Sequence, residues 1–257
     1  MKHLMLTLVL IFYCISCFWS VLKNGEKVSL FFLICAVTPH TLSSFCCYTA
    51  SWPLIPIYRG PLFTSCVVAW MALERYRYSY VEYRLILYSA TFLFCCFYFF
   101  PKDYYLPFLH SKTIFAHLFL VSGVVAKALF FVGSIDAFLF LFHDGNKEND
   151  LEYRSFATTV IIGFALWTVS MFSGEIWSYL GWGFPIVWDD PAVVGMIVVW
   201  FYYACFLHLY LTKLWTVKKR ASMVILGAVI TFVFSYMPEL GPFRLPDLAI
   251  LLHSGRL

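Results

Sequence analysis

Charge is what this sequence has least of. Asp, Glu, Lys and Arg together make up 12% of its 257 residues, against the ~25% usual for a soluble domain. So little charge cannot cover a water-facing surface. This excludes an ordinary cytosolic enzyme, a disordered chain and, despite the formal net charge of +4, a nucleic-acid binder. The sequence also lacks an internal repeat, a low-complexity stretch and any long polar segment, which excludes a repeat array and an appended soluble domain. No small-residue cleavage pattern follows the first apolar run, so residues 4–22 read as a retained membrane span and not as a signal peptide.

Apolar and aromatic residues fill the space that charge leaves, at 62% and 21% of the chain, with a mean hydropathy of +0.80. A spanning helix needs ~20 mostly apolar residues. Eight runs qualify: 4–22, 28–46, 60–74, 85–100, 113–142, 156–174, 192–212 and 221–237. The third is short and borrows from 52–58, and the fifth is long enough to tilt. The expected fold is an all-α polytopic membrane bundle of about eight transmembrane helices, one domain over residues 1–257. Nine cysteines sit mostly inside these runs and read as small buried hydrophobes. Cys14 and Cys17 form a CxxC, but Phe18 follows in place of the His of a c-type haem attachment site.

Lys and Arg set the orientation. With Lys213, Lys218, Lys219 and Arg220 on the cytoplasmic side, alternation puts eleven basic residues inside and six outside. Lys127 is left over within a span. Both termini, the connection 175–191 and the tail 238–257 then face outside. Lys127 reads as pairing with a carboxylate or snorkelling, with neutralisation of a ligand carboxylate as the functional alternative. Asp136, nine positions further along, is not an obvious intrahelical partner.

Residues 174–191 read GEIWSYLGWGFPIVWDDP. Interfacial tryptophans are common as anchors, because an indole has an apolar body and a polar tip. Trp177, Trp182 and Trp188 within twelve residues, punctuated by Gly181 and Gly183, suggest instead a flat aromatic shelf for a large planar apolar ligand. Asp189 and Asp190 are poor headgroup anchors and need another task, such as pairing with an Arg or fixing the loop.

This string resembles the tryptophan-rich WWD signature of haem-handling proteins in cytochrome c biogenesis. Gly174, Trp177, Trp182, Gly183, Trp188 and Asp189 fall at the family's spacings. Ile186 stands where another Trp is usual, and Asp190, Pro191 and Ala192 follow Asp189 in place of Pro, Lys and Glu. The segment 106–130, ACFLHLYL (204–211) and the tail LLHSGRL (251–257) are similar to CcsA/ResC segments that carry His, here His117, His208 and His253. GPLFTSCVVAWMALE (60–74) is similar to an earlier family stretch. The helix count and terminal His favour CcsA/ResC over the CcmC type.

The resemblance implies a set of roles. His117 and His253 are axial ligands of the iron of a haem b lying on Trp177, Trp182 and Trp188, with Gly183 and Asp189 shaping the site. His208, 17 residues past Pro191 and so roughly 25 Å along its helix, is too far to share that iron. It is one ligand of a second, intramembrane haem whose other ligand comes from a ResB-type partner subunit. His110 is a substitute for His117, Glu175 orients a ligand or is solvated, His40 is a hydrogen-bonded packing residue, and His3 and His143 are surface residues.

The implied function is haem delivery and presentation to an apocytochrome c with a reduced CxxCH, kept reduced by thiol-reducing proteins, at the outer face of a bacterial cytoplasmic or thylakoid membrane. The chain would then be a subunit of a holocytochrome c synthase complex, with no acid–base catalyst of its own. The alternatives are a CcmC-type loader that hands haem to a chaperone, and a polytopic transporter unrelated to haem in which Lys127 and Asp136 line a substrate path.

Overall fold

The computed structural model describes residues 2–50, 60–102, 113–142, 149–186, 188–211 and 215–244. Their regular structure is helical throughout: α1 (Lys2–Val21), α2 (Glu26–Ala50), α3 (Gly60–Arg75), α4 (Tyr80–Phe99), α5 (Ile114–Phe142), α6 (Asn149–Trp182), α7 (Pro191–Leu211) and α8 (Val217–Thr231). A π-helical turn (Phe232–Tyr236) and a 3-10 turn (Met237–Glu239) continue α8. Seven of these helical stretches are long and apolar enough to cross a membrane. The third, at 16 residues, is too short, and residues 52–58, from which it was expected to borrow, lie outside the described residues. The eight expected runs are the eight helices.

The chief difference lies at α6. The run 156–174 was expected to end where a loop begins, yet the helix continues to Trp182 over 34 residues. The expected outer loop 174–191 is therefore helical over its first half. No proline falls between Gly174 and Trp182 to break the helix, and Gly174 is retained because it lies against the Phe119 ring, where a Cβ would come within 2.8 Å. Gly183 ends the helix, adopting φ +76° and donating its N–H to the Tyr179 carbonyl at 2.8 Å. That left-handed conformation at the residue after the last turn is the usual glycine stop.

The helices fall into two compact units, α1–α4 with residues 240–244, and α5–α8 with the turns that follow. In the first unit, Ser16, Ser29 and Tyr83 bond to one another across α1, α2 and α4. Ser79 caps α4 by accepting the Glu82 N–H, and Glu82 pairs with Arg75 at 2.8 Å. In the second unit the core is aromatic. Phe130 of α5 stacks on Tyr203 of α7 at 3.8 Å with the planes 10° apart, and Phe156 and Trp167 of α6 are buried beside them. Gly195 of α7 sits so close to the π-helical turn that a Cβ would fall 1.8 Å from the Phe234 carbonyl oxygen. Such a wide turn carries its carbonyls out of the regular ladder, and only glycine lets α7 approach it.

Candidate functional site

The end of the second unit where α6 stops and α7 starts holds a cavity of about 390 Å³, within the range of small-molecule sites. Phe119 lines it from α5, Met171, Trp177, Ser178 and Trp182 among others from α6, Phe184 to Ile186 and Asp190 from the connection, and Ala192, Val193, Met196 and Ile197 from α7. Trp177 is 5% exposed, and Phe119 stacks on it at 5.8 Å. Trp182 meets it edge-on at 6.0 Å with planes 66° apart. The expected flat shelf is thus not formed. Two side chains five residues apart on a helix diverge by roughly 140°, so their rings make a corner and not a plane. Trp188 is 66% exposed and, with Asp189, follows in the turn outside the cavity wall. Gly183 acts on the helix end described above.

The connection is held by its own polar groups. Ser178 Oγ donates to the Phe184 carbonyl at 2.8 Å. Asp190 caps α7, its Oδ1 accepting the Ala192 N–H at 2.8 Å with Pro191 as the first helical residue. Asp at the cap and Pro just inside it are favoured starts. The acidic pair is therefore explained in part, Asp190 fixing the loop. One polar atom stands out. The buried indole Nε1 of Trp177 has no hydrogen-bond partner among the described residues. A buried donor left unpaired is uncommon and asks for an acceptor.

Beneath the cavity lies a buried ion pair. Lys127 Nζ of α5 meets Glu239 Oε1 at 2.6 Å, with their side chains 4% and 12% exposed. The expected carboxylate partner is thus found, and it is Glu239 and not Asp136. Sequence reading missed it because Glu239 falls just past the last apolar run and was assigned to the outer tail. The signal was a carboxylate directly after an apolar span, in a chain with an intramembrane lysine to match.

The histidines separate into distinct environments. His40 is fully buried in the first unit. Its Nε2–H donates to the Leu62 carbonyl at 3.1 Å, and Nδ1 accepts the Tyr13 hydroxyl at 2.8 Å. Both ring nitrogens are used, so it is the expected packing residue. His208, in the last turn of α7, is exposed, and its Nδ1 lies 2.9 Å from the Ala204 carbonyl. A carbonyl only accepts, so Nδ1 carries a proton and Nε2 is the ring nitrogen left for another partner. That is the orientation a metal-ligating imidazole commonly adopts. Cys205 and Phe201 share this exposed face. His117 is half-buried in the first turns of α5. The cavity is lined by Phe119 in its place, roughly 160° round the helix from His117. His110, His143 and His253 lie outside the described residues.

Comparison with known proteins supplies the context for this geometry. A family model described as cytochrome C assembly protein matches residues 2–240. The cytochrome c biogenesis protein CcsA of Prochlorococcus marinus (strain NATL1A) is 35% identical over 92 residues, 36% of this chain and 28% of that protein. CcsA of Synechococcus sp. (strain WH7803) is 32% identical over 111 residues, 43% of this chain and 32% of the relative. CcsA of Thermosynechococcus vestitus is 33% identical over 85 residues, 33% and 25%. The matched stretch spans only about a quarter to a third of these curated relatives.

Proposed function

The chain belongs to the cytochrome c assembly protein family, and on that premise we propose that it carries haem to the outer face of a membrane and presents it there to an apocytochrome c. The observation that supports this most is the aromatic cavity, about 390 Å³ and walled by Phe119, Trp177 and Trp182. Its apolar, ring-lined wall suits a porphyrin face. The Trp177 N–H, with no acceptor among the described residues, suits a ligand that brings oxygen atoms with it.

Haem is the cargo, and its vinyl groups supply the carbons to which the apocytochrome's two Cys bind as thioethers. The chain's own part is position, water exclusion and axial ligation. Trp177 and Trp182 hold the ring edge against α6, and the Ser178 and Asp190 contacts keep the connection closed over it. His117 and His253 are the proposed ligands of the presented iron, at a position beside the cavity, because His117 lies roughly 160° round α5 from the cavity-lining Phe119. His208 is a ligand of a second haem, with its Nε2 on the face where a ResB-type partner would supply the other. The basic segment Lys218–Arg220 starts α8 at the end of α7 opposite the cavity. With that segment cytoplasmic, the cavity opens outside and both termini lie there. The whole chain then acts as one haem-handling domain in a bacterial cytoplasmic or thylakoid membrane. Thiol-reducing proteins keep the CxxCH cysteines reduced.

The test is reconstitution of the detergent-purified chain with haem, the partner subunit and a CxxCH peptide. Covalent attachment that requires the chain supports the synthase reading. Haem binding without attachment, but with transfer to a carrier protein, moves it to the loader class.

A further inference from the structure

We propose that Lys127 is the anchor for a carboxylate of the cavity's ligand, and that Glu239 occupies this anchor as an internal stand-in until the ligand arrives. The inference rests on the haem reading and adds the subsite for the porphyrin's propionates.

A second, smaller space of about 30 Å³ lies against the ion pair. Its α5 wall is one continuous helix face, running from Lys127 through Val124 and Gly123 to Phe119. Phe119 and Met196 also line the large cavity, so the two spaces share a wall. Side chains on a helix lean toward its amino end. The Lys127 side chain therefore leans toward the turn of Gly123 and Phe119, where the room left by Gly123 holds Ser170 Oγ, which donates to the Phe119 carbonyl at 2.7 Å. Ser170 and Ser235 add hydroxyls to the same small space.

The pair itself calls for a purpose beyond folding. A buried Lys–Glu pair rarely stabilises more than two apolar side chains of similar volume would, and this chain has apolar residues in abundance. What the pair does supply is a desolvated cation already matched to a carboxylate. A ligand carboxylate replacing that of Glu239 keeps the site neutral, so the exchange leaves no uncompensated buried charge. Glu239 is also well placed to withdraw. It ends a three-residue 3-10 turn that follows a π-helical turn, an irregular segment with less helical regularity to lose than α8 proper.

The experiment uses the full chain in detergent and metal-free protoporphyrin IX, which removes iron ligation by histidine from the comparison. Its dimethyl ester is the control ligand without carboxylates. Binding is read from porphyrin fluorescence and assigned to the cavity by its loss in Trp177→Ala. The wild type should bind the diacid on the order of tenfold more tightly than the diester. The double variant Lys127→Met/Glu239→Leu, which removes both charges together, should bind the two alike. Lys127→Arg should keep the preference, and Glu239→Gln should raise diacid affinity severalfold by weakening the competitor. Equal binding of diacid and diester by the wild type overturns the anchor and leaves the haem reading standing. If the double variant does not fold, Glu239→Gln decides, and unchanged diacid affinity overturns the stand-in. If neither porphyrin binds, or binding ignores Trp177→Ala, the haem reading at this cavity falls and the anchor with it.

Discussion

In α1–α4 the described buried polar side chains are neutral, with Ser16, Ser29, Tyr83 and His40 bonded to their neighbours, whereas in α5–α8 they include a full ion pair and an indole N–H with no acceptor among the described residues. His40 shows the first style. Tyr13 and the Leu62 carbonyl take both of its nitrogens, and Phe94 packs edge-on at 4.8 Å. Lys127 and Trp177 show the second, and both border open space. In a low-dielectric interior a satisfied neutral network needs no further partner, while a charge or an unpaired donor beside a cavity is ready for one. The same residue type therefore carries opposite meanings in the two units. The buried His40, with both nitrogens bonded, is scaffold, whereas the exposed His208, whose Nδ1 lies on the Ala204 carbonyl, is the proposed haem ligand.

The comparison can be broken most forcefully at the ion pair. Lys127→Met alone takes the ammonium from the Glu239 carboxylate, and breaking a buried pair from one side costs about 3–5 kcal/mol. A denaturation midpoint measured in detergent should fall accordingly, and Lys127→Met/Glu239→Leu should recover most of the loss. His40→Ala comes next. It takes the partner of the buried Tyr13 hydroxyl and one of two side-chain donors to the Leu62 carbonyl, which keeps Ser65 Oγ, for about 1–3 kcal/mol. Porphyrin affinity of the folded fraction should stay unchanged, which separates scaffold from site. Gly195→Ala forces a methyl against the Phe234 carbonyl and should cost about 1–3 kcal/mol, read from the same midpoint. The smallest effect is expected from Asp190→Ala, about 1 kcal/mol for a lost helix cap, accompanied by faster protease cleavage in the 183–190 connection.

Much of this was legible beforehand, and the misses have physical causes. Helix number followed from apolar run length, because a bilayer admits little else. The end of α6 did not, because the apolar run ends at 174 and the Trp-rich string after it reads as a connection, whereas Gly174 packs on Phe119, a residue 55 positions away in sequence, and the helix runs on. Spacing singled out three tryptophans, of which Trp177 and Trp182 line the cavity and Trp188 does not. Their planarity was misjudged, since a shelf was inferred from a loop and the segment proved helical. Glu239 was missed because a π-helical and a 3-10 turn carry α8 past the point where its apolar run ends. Pairing across 112 residues leaves no local mark beyond an intramembrane lysine that needs a carboxylate.

The most direct test of the central claim, that the α5–α8 unit handles haem through its histidines and its aromatic cavity, is the Soret spectrum of the detergent-purified full chain loaded with haem. The wild type should give a Soret band. His117→Gly and His208→Gly should each alter it, and free imidazole should restore it by filling the hole each substitution leaves. A wild-type chain with no Soret band, or a band that neither variant changes, would contradict the account.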